Sequence, residues 1–410
     1  MNKLLRTHAD AIIASSINAV KPDEAVSRAL AGQEFSGRVV LVAAGKAAWQ
    51  MAYAAWKCIG DQIIDGVVVT KYDHIKEPIA NLRLFEAGHP VPDENSFRGT
   101  QAALDLVAPL TETDTVLFLL SGGGSALFEK PLIPGTELQD ITNQLLASGA
   151  DIVEMNTIRK RLSAVKGGRF AQLCAPAKVY AIVLSDILGD PLDMIASGPA
   201  CPDGSTCQQA LAIAEKYNLR LSSRAWELLA QETPKELSNV ESVITGSVRQ
   251  LCTAAAAACE ELGYKSVILT DMLTCQAKEA GSFLAAIARS HASRGESLAF
   301  LAGGETVVHL TGKGKGGRNQ ELALSAAAGI EGLENVLIFS VGSDGTDGPT
   351  DAAGGIVDGR TAARLRQQGI SIHQVLKDND AYNALAKAEG LIITGPTGTN
   401  VNDIAVVLIR

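Results

Sequence analysis

The chain has 410 residues, 47% of them hydrophobic, and carries 36 Lys and Arg against 45 Asp and Glu, for a formal charge of −9 and a pI near 5.3. Length and apolar content support two or three domains with real cores, while the acidic balance argues against a nucleic-acid or anionic-membrane surface. The seven cysteines form no C-x-x-C pair, their odd count fits no closed disulfide framework, and no uninterrupted apolar run reaches membrane-spanning length. A reduced cytoplasmic setting follows.

The first segment, MNKLLRTHADAIIASSINAV, interrupts its apolar residues with His8, Asp10 and Asn18 and reads as an amphipathic helix, not a signal sequence. Short apolar strands then alternate with alanine-rich helical stretches, at Arg38–Ala43, Gly66–Thr70, Leu82–Ala87, Thr115–Leu120 and Lys178–Ser185. Continuous β-branched runs separated by helices imply a parallel sheet covered on both faces, with ligands outside the carboxyl ends of its strands. Polar clusters stand at those ends: Gly45-Lys46, His89-Pro90, Ser121-Gly122-Gly123-Gly124-Ser125, and Ser185-Asp186 to Asp190. The triple glycine is either an anion nest of backbone amides or a tight strand-to-helix turn. Asn156, Arg159, Ser163 and Lys166 fall at helical spacing on one face, whereas Lys160 and Arg161 read as solvated.

Residues 218–238 look helical and polar, and end in Thr233-Pro234-Lys235, a joint between domains 1–237 and 238–410. The second half restarts with a strand at Ser242–Thr245 and a helix near Val248–Leu262 that holds Cys252 and Cys259 as core residues. A strand at Ser266–Thr270 and a long helix through His291 come next. Strands at Leu298–Ala302 and Thr306–Leu310, the latter carrying His309, lead into a basic glycine turn, Gly312 to Arg318, and a helix at Glu321–Ala328. The turn's glycines and the positive end of the helix offer a cradle for anionic oxygens, with Lys313, Lys315 and Arg318 nearby and Asn319, Gln320 and Glu321 on the first helical turn. The flanking hairpin implies a mixed sheet.

Strand Val336–Val341 runs into Ser343 to Gly354, where Asp344, Asp347 and Asp351 recur at steps of three and four; such an oxygen-rich loop binds Mg²⁺ or positions a base. Its alternative is an Asx-capped turn. The loop Gly395 to Asn400 is rich in hydroxyls, and a last strand spans Ile404–Ile409. Acids for a metal and bases for phosphate together point to phosphoryl transfer. No G-x-S-x-G elbow and no His or Cys pair at zinc spacing is present.

The motifs A-G-K-A-A at 44–48, S-G-G-G-S-A-L at 121–127, I-R-K-R-L-S-A-V-K-G-G-R at 158–169, S-D-I-L-G-D-P at 185–191, G-G-E-T at 303–306 and G-G-R-N-Q-E at 316–321 come in a fixed order. With S-D-G-T-D-G-P-T-D-A-A-G and the terminal G-P-T-G-T-N-V-N-D, the chain resembles the glycerate 2-kinases whose second half is called the MOFRL domain. The resemblance implies an α/β fold: a Rossmann-like N-terminal domain with a parallel sheet, a smaller mixed-sheet α/β domain, and an active site in the cleft between them. It implies ATP- and Mg²⁺-dependent phosphorylation of the 2-hydroxyl of D-glycerate, by a monomer or homodimer with neither nucleic-acid nor membrane partners. The rival is a hydroxypyruvate reductase using NAD(P)H, a label some relatives have carried.

Carried onto this chain, the resemblance makes Lys46 and Arg318 the catalytic cations; Asp186, at the end of its strand, is a further catalytic candidate that could instead hold Mg²⁺. Asp190, Asp344 and Asp347 become metal candidates, and one aspartate accepts the hydroxyl proton. Substrate and phosphate contacts fall to Gly45, Ser121, Gly122, Gly123, Gly124, Ser125, Arg159, Lys166, Glu305, Gly317, Asn319, Gln320, Thr397 and Asn400.

Overall fold

The computed structural model describes residues 2–410. The chain forms two compact units, Ala25–Thr245 and a second that joins residues up to Glu24 to Gly246–Arg410. The sequence reading began the first domain at residue 1, but the helix Lys3–Ala19 belongs with the second unit. The reason lies in its apolar stripe: Leu5, Ala9, Ile12, Ile13 and Ile17 are buried, and the helix packs on Val248–Glu261. His8 Nδ1 lies 2.8 Å from the Tyr264 hydroxyl, and Thr399 Oγ1 donates to Val20 O at 2.8 Å.

Six strands build the sheet of the first unit: β1 (Val39–Ala44), β2 (Ile63–Lys71), β3 (Leu82–Ala87), β4 (Thr115–Leu120), β5 (Lys178–Leu184) and β6 (Val240–Gly246), in the order β3-β2-β1-β4-β5-β6. Strands β1 to β5 pair in parallel. Val40, Val42, Val116 and Phe118 enter one buried cluster while Leu41, Ala43, Leu117 and Leu119 enter another, so alternate residues feed cores on both faces. The order reverses between β1 and β4, and at such a switch point the two strands' end loops diverge and leave a crevice. Strand β6 corrects the sequence reading, which placed it at the start of the second half. Of residues 218–238 only Ser223–Leu229 is α-helical; the rest of the polar stretch lacks an apolar stripe to hold a longer helix against the core.

The second unit holds β7 (Lys265–Leu273), β8 (Leu298–Gly304), β9 (Val336–Gly342), β10 (Gly354–Asp358), β11 (Leu391–Ile392) and β12 (Asp403–Ile409), ordered β11-β10-β9-β12-β8-β7. β7 runs parallel to β8, whereas β12 is antiparallel to both β8 and β9, so the sheet is mixed. The expected hairpin is not its cause. Thr306–Leu310 forms no strand beyond a bridge from Val307 to Gln276, and His309, expected as a core or ligand-facing histidine, is exposed and so not core. β10 escaped sequence reading because it opens with two glycines, which strands disfavour. A side chain on Gly355 would press on Ala323 and Leu385, so the close helix packing on this strand requires glycine.

All seven cysteines are free, with Cys252 and Cys259 buried as expected. Among the described residues no helix is long and apolar enough to cross a membrane.

Candidate functional site

In the first unit the loops after β1 and β4 interlock at the switch point. The Lys46 amide donates to Gly122 O at 2.9 Å, the Ser121 amide to Ala44 O at 3.0 Å, and the Ala47 amide to Ser121 Oγ at 3.1 Å. Gly45 has φ 125°, and a Cβ there would lie 2.2 Å from Ser121 Oγ, so both conformation and space demand glycine. This turn leaves Lys46 exposed at the crevice. A Cβ on Gly122 would fall 2.2 Å from Asp186 Oδ2, which brings the acid after β5 against the same loop. Among the described residues no backbone hydrogen bond uses the amides of Gly122 or Gly123. Lys46, Gly122, Gly123 and Asp186 therefore lie together at the ends of β1, β4 and β5.

Behind this loop stands a buried cationic support. Arg159 Nη2 donates to Ser125 O at 3.1 Å, and Lys166 Nζ donates to Ser125 O at 2.9 Å and Phe128 O at 3.0 Å. Lys166 is fully buried, 3.1 Å from an equally buried Glu129. Burial depresses its ammonium to about 8 while Glu129 opposes the fall. Its donors go to carbonyls, so Lys166 holds the loop and does not face a ligand. The helix Ile152–Arg161 ends before Ser163 and Lys166, so those residues do not share its face. Lys160 and Arg161, expected in solvent, are also buried. Lys160 Nζ lies 3.0 Å from Asp203 Oδ1, and Arg161 donates to Ser205 and Glu232. The buried Asp203 carboxylate is the physical reason, since a charge inside a protein needs an opposite one.

The glycine turn of the second unit is not an open cradle. The amides of Gly312, Lys313, Gly314 and Lys315 go to Asn379 Oδ1, Asp378 Oδ1, Asp378 O and Asp380 Oδ1 at 2.9, 3.3, 2.8 and 2.9 Å. A Cβ on Gly312 or Gly314 would sit within 2.6 Å of residues 378–380. The glycines admit the chain's own backbone and acids to the place a phosphate was expected to take. Lys315 Nζ rests 4.1 Å above the Tyr382 ring.

The helix after the turn, Arg318–Gly329, starts three residues earlier than expected, and its end is also occupied. Asp347 accepts the Asn319 amide at 3.1 Å and the Gln320 amide at 2.8 Å; a Cβ on Gly317 would collide with its carboxyl. Asn319 and Gln320 are buried, bonded to Ser340 Oγ and Thr350 Oγ1, and so tie the helix to the acidic loop and to β9 instead of facing a ligand. Burial pushes the Asp347 carboxyl up to about 7 against the pull of the two amides.

Arg318 is the group that this scaffold presents. Asp403, the first residue of β12, takes its Nε at 2.6 Å and Nη2 at 3.2 Å, and Glu305 takes Nη1 at 2.8 Å. Burial disfavours the charge, yet Asp403 and then Glu305 hold the guanidinium above its ordinary range. Its side chain remains 33% exposed and lines a cavity of about 690 Å³ with Thr306, Glu321, Asp344 and Asp347. Sequence reasoning missed Asp403, whose only signal was the final letter of N-V-N-D. Thr397 Oγ1 donates to Ser343 O, and Asn400 Oδ1 accepts the Asn402 amide, so both shape the hydroxyl-rich loop.

The three proposed metal ligands fit unequally. Among the described residues no group of three acids, histidines or cysteines gathers. Magnesium carried on phosphates needs only one or two carboxylates. Asp347 is committed to its cap and does not fit. Asp344 Oδ1 accepts the Thr346 amide, and Asp351 binds the Tyr382 hydroxyl. Asp190 fits best: it has φ 53°, and its Oδ1 is buried without a hydrogen-bond partner.

Two family models match the chain, the Domain of unknown function DUF4147 over residues 8–230 and the MOFRL family over 298–403. The D-glycerate 2-kinase of Thermotoga maritima is 55% identical over 97% of both chains. A putative hydroxypyruvate reductase of Agrobacterium vitis is 41% identical over 91% of this chain and 100% of its own. A crystal structure of glycerate kinase from Thermotoga maritima superposes with a TM-score of 0.95 and 54% identity, covering 100% of each chain. The interlocked lysine and glycine loops and the acid-clamped arginine thus stand on a shared full-length scaffold, and the chain belongs to the MOFRL family of glycerate 2-kinases.

Proposed function

We propose that the protein phosphorylates the 2-hydroxyl of D-glycerate with ATP and Mg²⁺, giving 2-phosphoglycerate. The observation that carries this reading is the convergence of Lys46, the Gly122–Gly123 amides and Asp186 at the switch point of a parallel sheet. A cation beside a turn of glycine amides at strand ends suits a compact carboxylate or phosphate. Arg318, fixed by Asp403 and Glu305, would supply a forked cation for phosphate oxygens. Asp190 is the residue that would hold Mg²⁺, whose chemistry is to neutralise phosphate charge. Such positioned charges are the main source of catalysis in phosphoryl transfer.

The reductase reading fares worse on two observations. The loop after β1 holds a single glycine, Gly45, and not the three of a G-x-G-x-x-G fingerprint. β2 ends in Lys71 where an NADH site places an acid for the ribose, which counts against NADH and not against NADPH. The discriminating assay incubates purified protein with D-glycerate and Mg-ATP, and separately with hydroxypyruvate and NADH or NADPH. Glycerate-dependent ADP release, with a product that enolase accepts directly, is expected; nicotinamide oxidation without ADP release would overturn the reading.

A further inference from the structure

Lys46 and Arg318 account for charge on phosphate, but an attacking hydroxyl must also lose a proton. Sequence reasoning left that to an aspartate. The structure places a different group at the crevice. In the order β3-β2-β1-β4 the ends of β3 and β4 stand three strand spacings apart, about 14 Å. The loop after β3 nevertheless carries His89 across to the glycine loop after β4. A Cβ built on Gly123 would lie 3.0 Å from His89 Cδ2 and 3.1 Å from Nε2, with Lys46 Cγ also at 3.1 Å. Gly123 has φ 86°, so this close seat for the imidazole is itself tied to glycine.

Resting on the kinase reading, we propose that His89 Nε2 is the general base that takes the proton from the substrate's 2-hydroxyl. As the hydroxyl oxygen forms its bond to the γ-phosphorus, the O–H proton passes to Nε2. The bond from that phosphorus to the bridging oxygen breaks, ADP leaves with the electron pair, and the imidazolium later returns its proton to solvent. The groups around the ring favour a neutral base. Lys46 stands on the β1 loop, Lys71 at the end of β2 and His74 just beyond it, while Asp93 closes the loop that carries His89 and Asp186 lies on the loop after β5. Half-burial first, and then Lys46, Lys71 and His74, keep the imidazole below its usual range, so Nε2 is free to accept a proton at pH 7. Asp186, against Gly122, is the competing candidate.

The test compares pH profiles of kcat and kcat/KM for wild type, His89→Gln, His89→Ala and Asp186→Asn, using D-glycerate and Mg-ATP with ADP release as readout. The wild type should lose kcat/KM on the acid side as His89 protonates, and Asp186→Asn should keep that limb. His89→Gln should lack the limb and turn over about 10²–10⁴-fold more slowly with little change in KM. Added imidazole should restore turnover to His89→Ala, which a structural role would not allow. A folded His89→Gln with wild-type kcat, one that changes KM alone, or a His89→Ala blind to imidazole would overturn the assignment. A wild type that releases no ADP with glycerate would instead refute the kinase reading, and the base with it.

Discussion

Two glycine-rich loops, Ser121 to Ser125 and Gly312 to Gly317, look interchangeable as letters yet do opposite things. In the first, Gly122 makes room for Asp186 and Gly123 for His89 and Lys46, while Gly124 packs on Ala196. Backbone bonds leave the Gly122 and Gly123 amides unused. In the second, Gly312 and Gly314 admit residues 378–380, and four successive amides are bonded to that segment. One loop gathers chemistry, and the other braces the helix that presents Arg318. The lesson is that a glycine run states only that something approaches the backbone closely; what approaches is decided elsewhere in the chain.

This contrast can be broken at several points. The largest expected effect concerns the support of the first loop. Lys166→Met strands a buried Glu129 and should cost about 3–5 kcal/mol in urea unfolding, with most of that recovered in the Lys166→Met, Glu129→Gln double variant. A single variant as stable as wild type would show that the pair does not hold the loop. In the second region, Arg318→Lys keeps charge but loses the fork clamped by Asp403. It should lower kcat by about 10²–10³-fold, and wild-type turnover would remove Arg318 from the reaction.

Asp347 offers a pH test of the second loop's internal cap. Its folded value, about 7, lies above the ordinary 3.8, so the native state binds more protons than the unfolded chain between those limits. Stability should therefore fall as pH rises from about 4 to 7, by at most roughly 4 kcal/mol from this group. Asp347→Asn should flatten that slope in unfolding measured at pH 5 and pH 7.5; an unchanged slope would assign it to other groups. The smallest effect sharpens the comparison most. Gly314→Ala would push on Asp378 and Asp380 and should cost about 1–3 kcal/mol of stability while leaving kcat as it was. A selective loss of kcat would return the turn to the role of ligand cradle.

Much of the scaffold was legible in the chain itself. The β-branched runs at Val39–Ala44 and Thr115–Leu120 are buried on both faces and can be little else than central parallel strands, and β3 and β4 have the bounds expected of them. β10 was not legible, because its glycines answer to Ala323 and Leu385 across a helix contact and not to strand propensity. The same limit governed the site. Lys46 and Asp186 could be placed because strand ends announce themselves in a parallel sheet. Asp403 and His89 could not be assigned roles, because an acid opening a strand and a histidine before a proline carry no local mark of their partners.

Sequence alone thus determined the α/β class, the strand-end positions of Lys46, Ser121 and Asp186, and the family. Period and composition act over a few residues, and these features are local. Tertiary structure alone decided which groups those features meet. It buried Lys160, Arg161 and Lys166 beside acids, filled the basic glycine turn with Asp378 and Asp380, turned Asp347 into a helix cap, and brought His89 to Gly123. Each of these outcomes pairs residues far apart in the chain, and the energy of burying a charge or an amide depends on the partner that arrives, which no local pattern encodes.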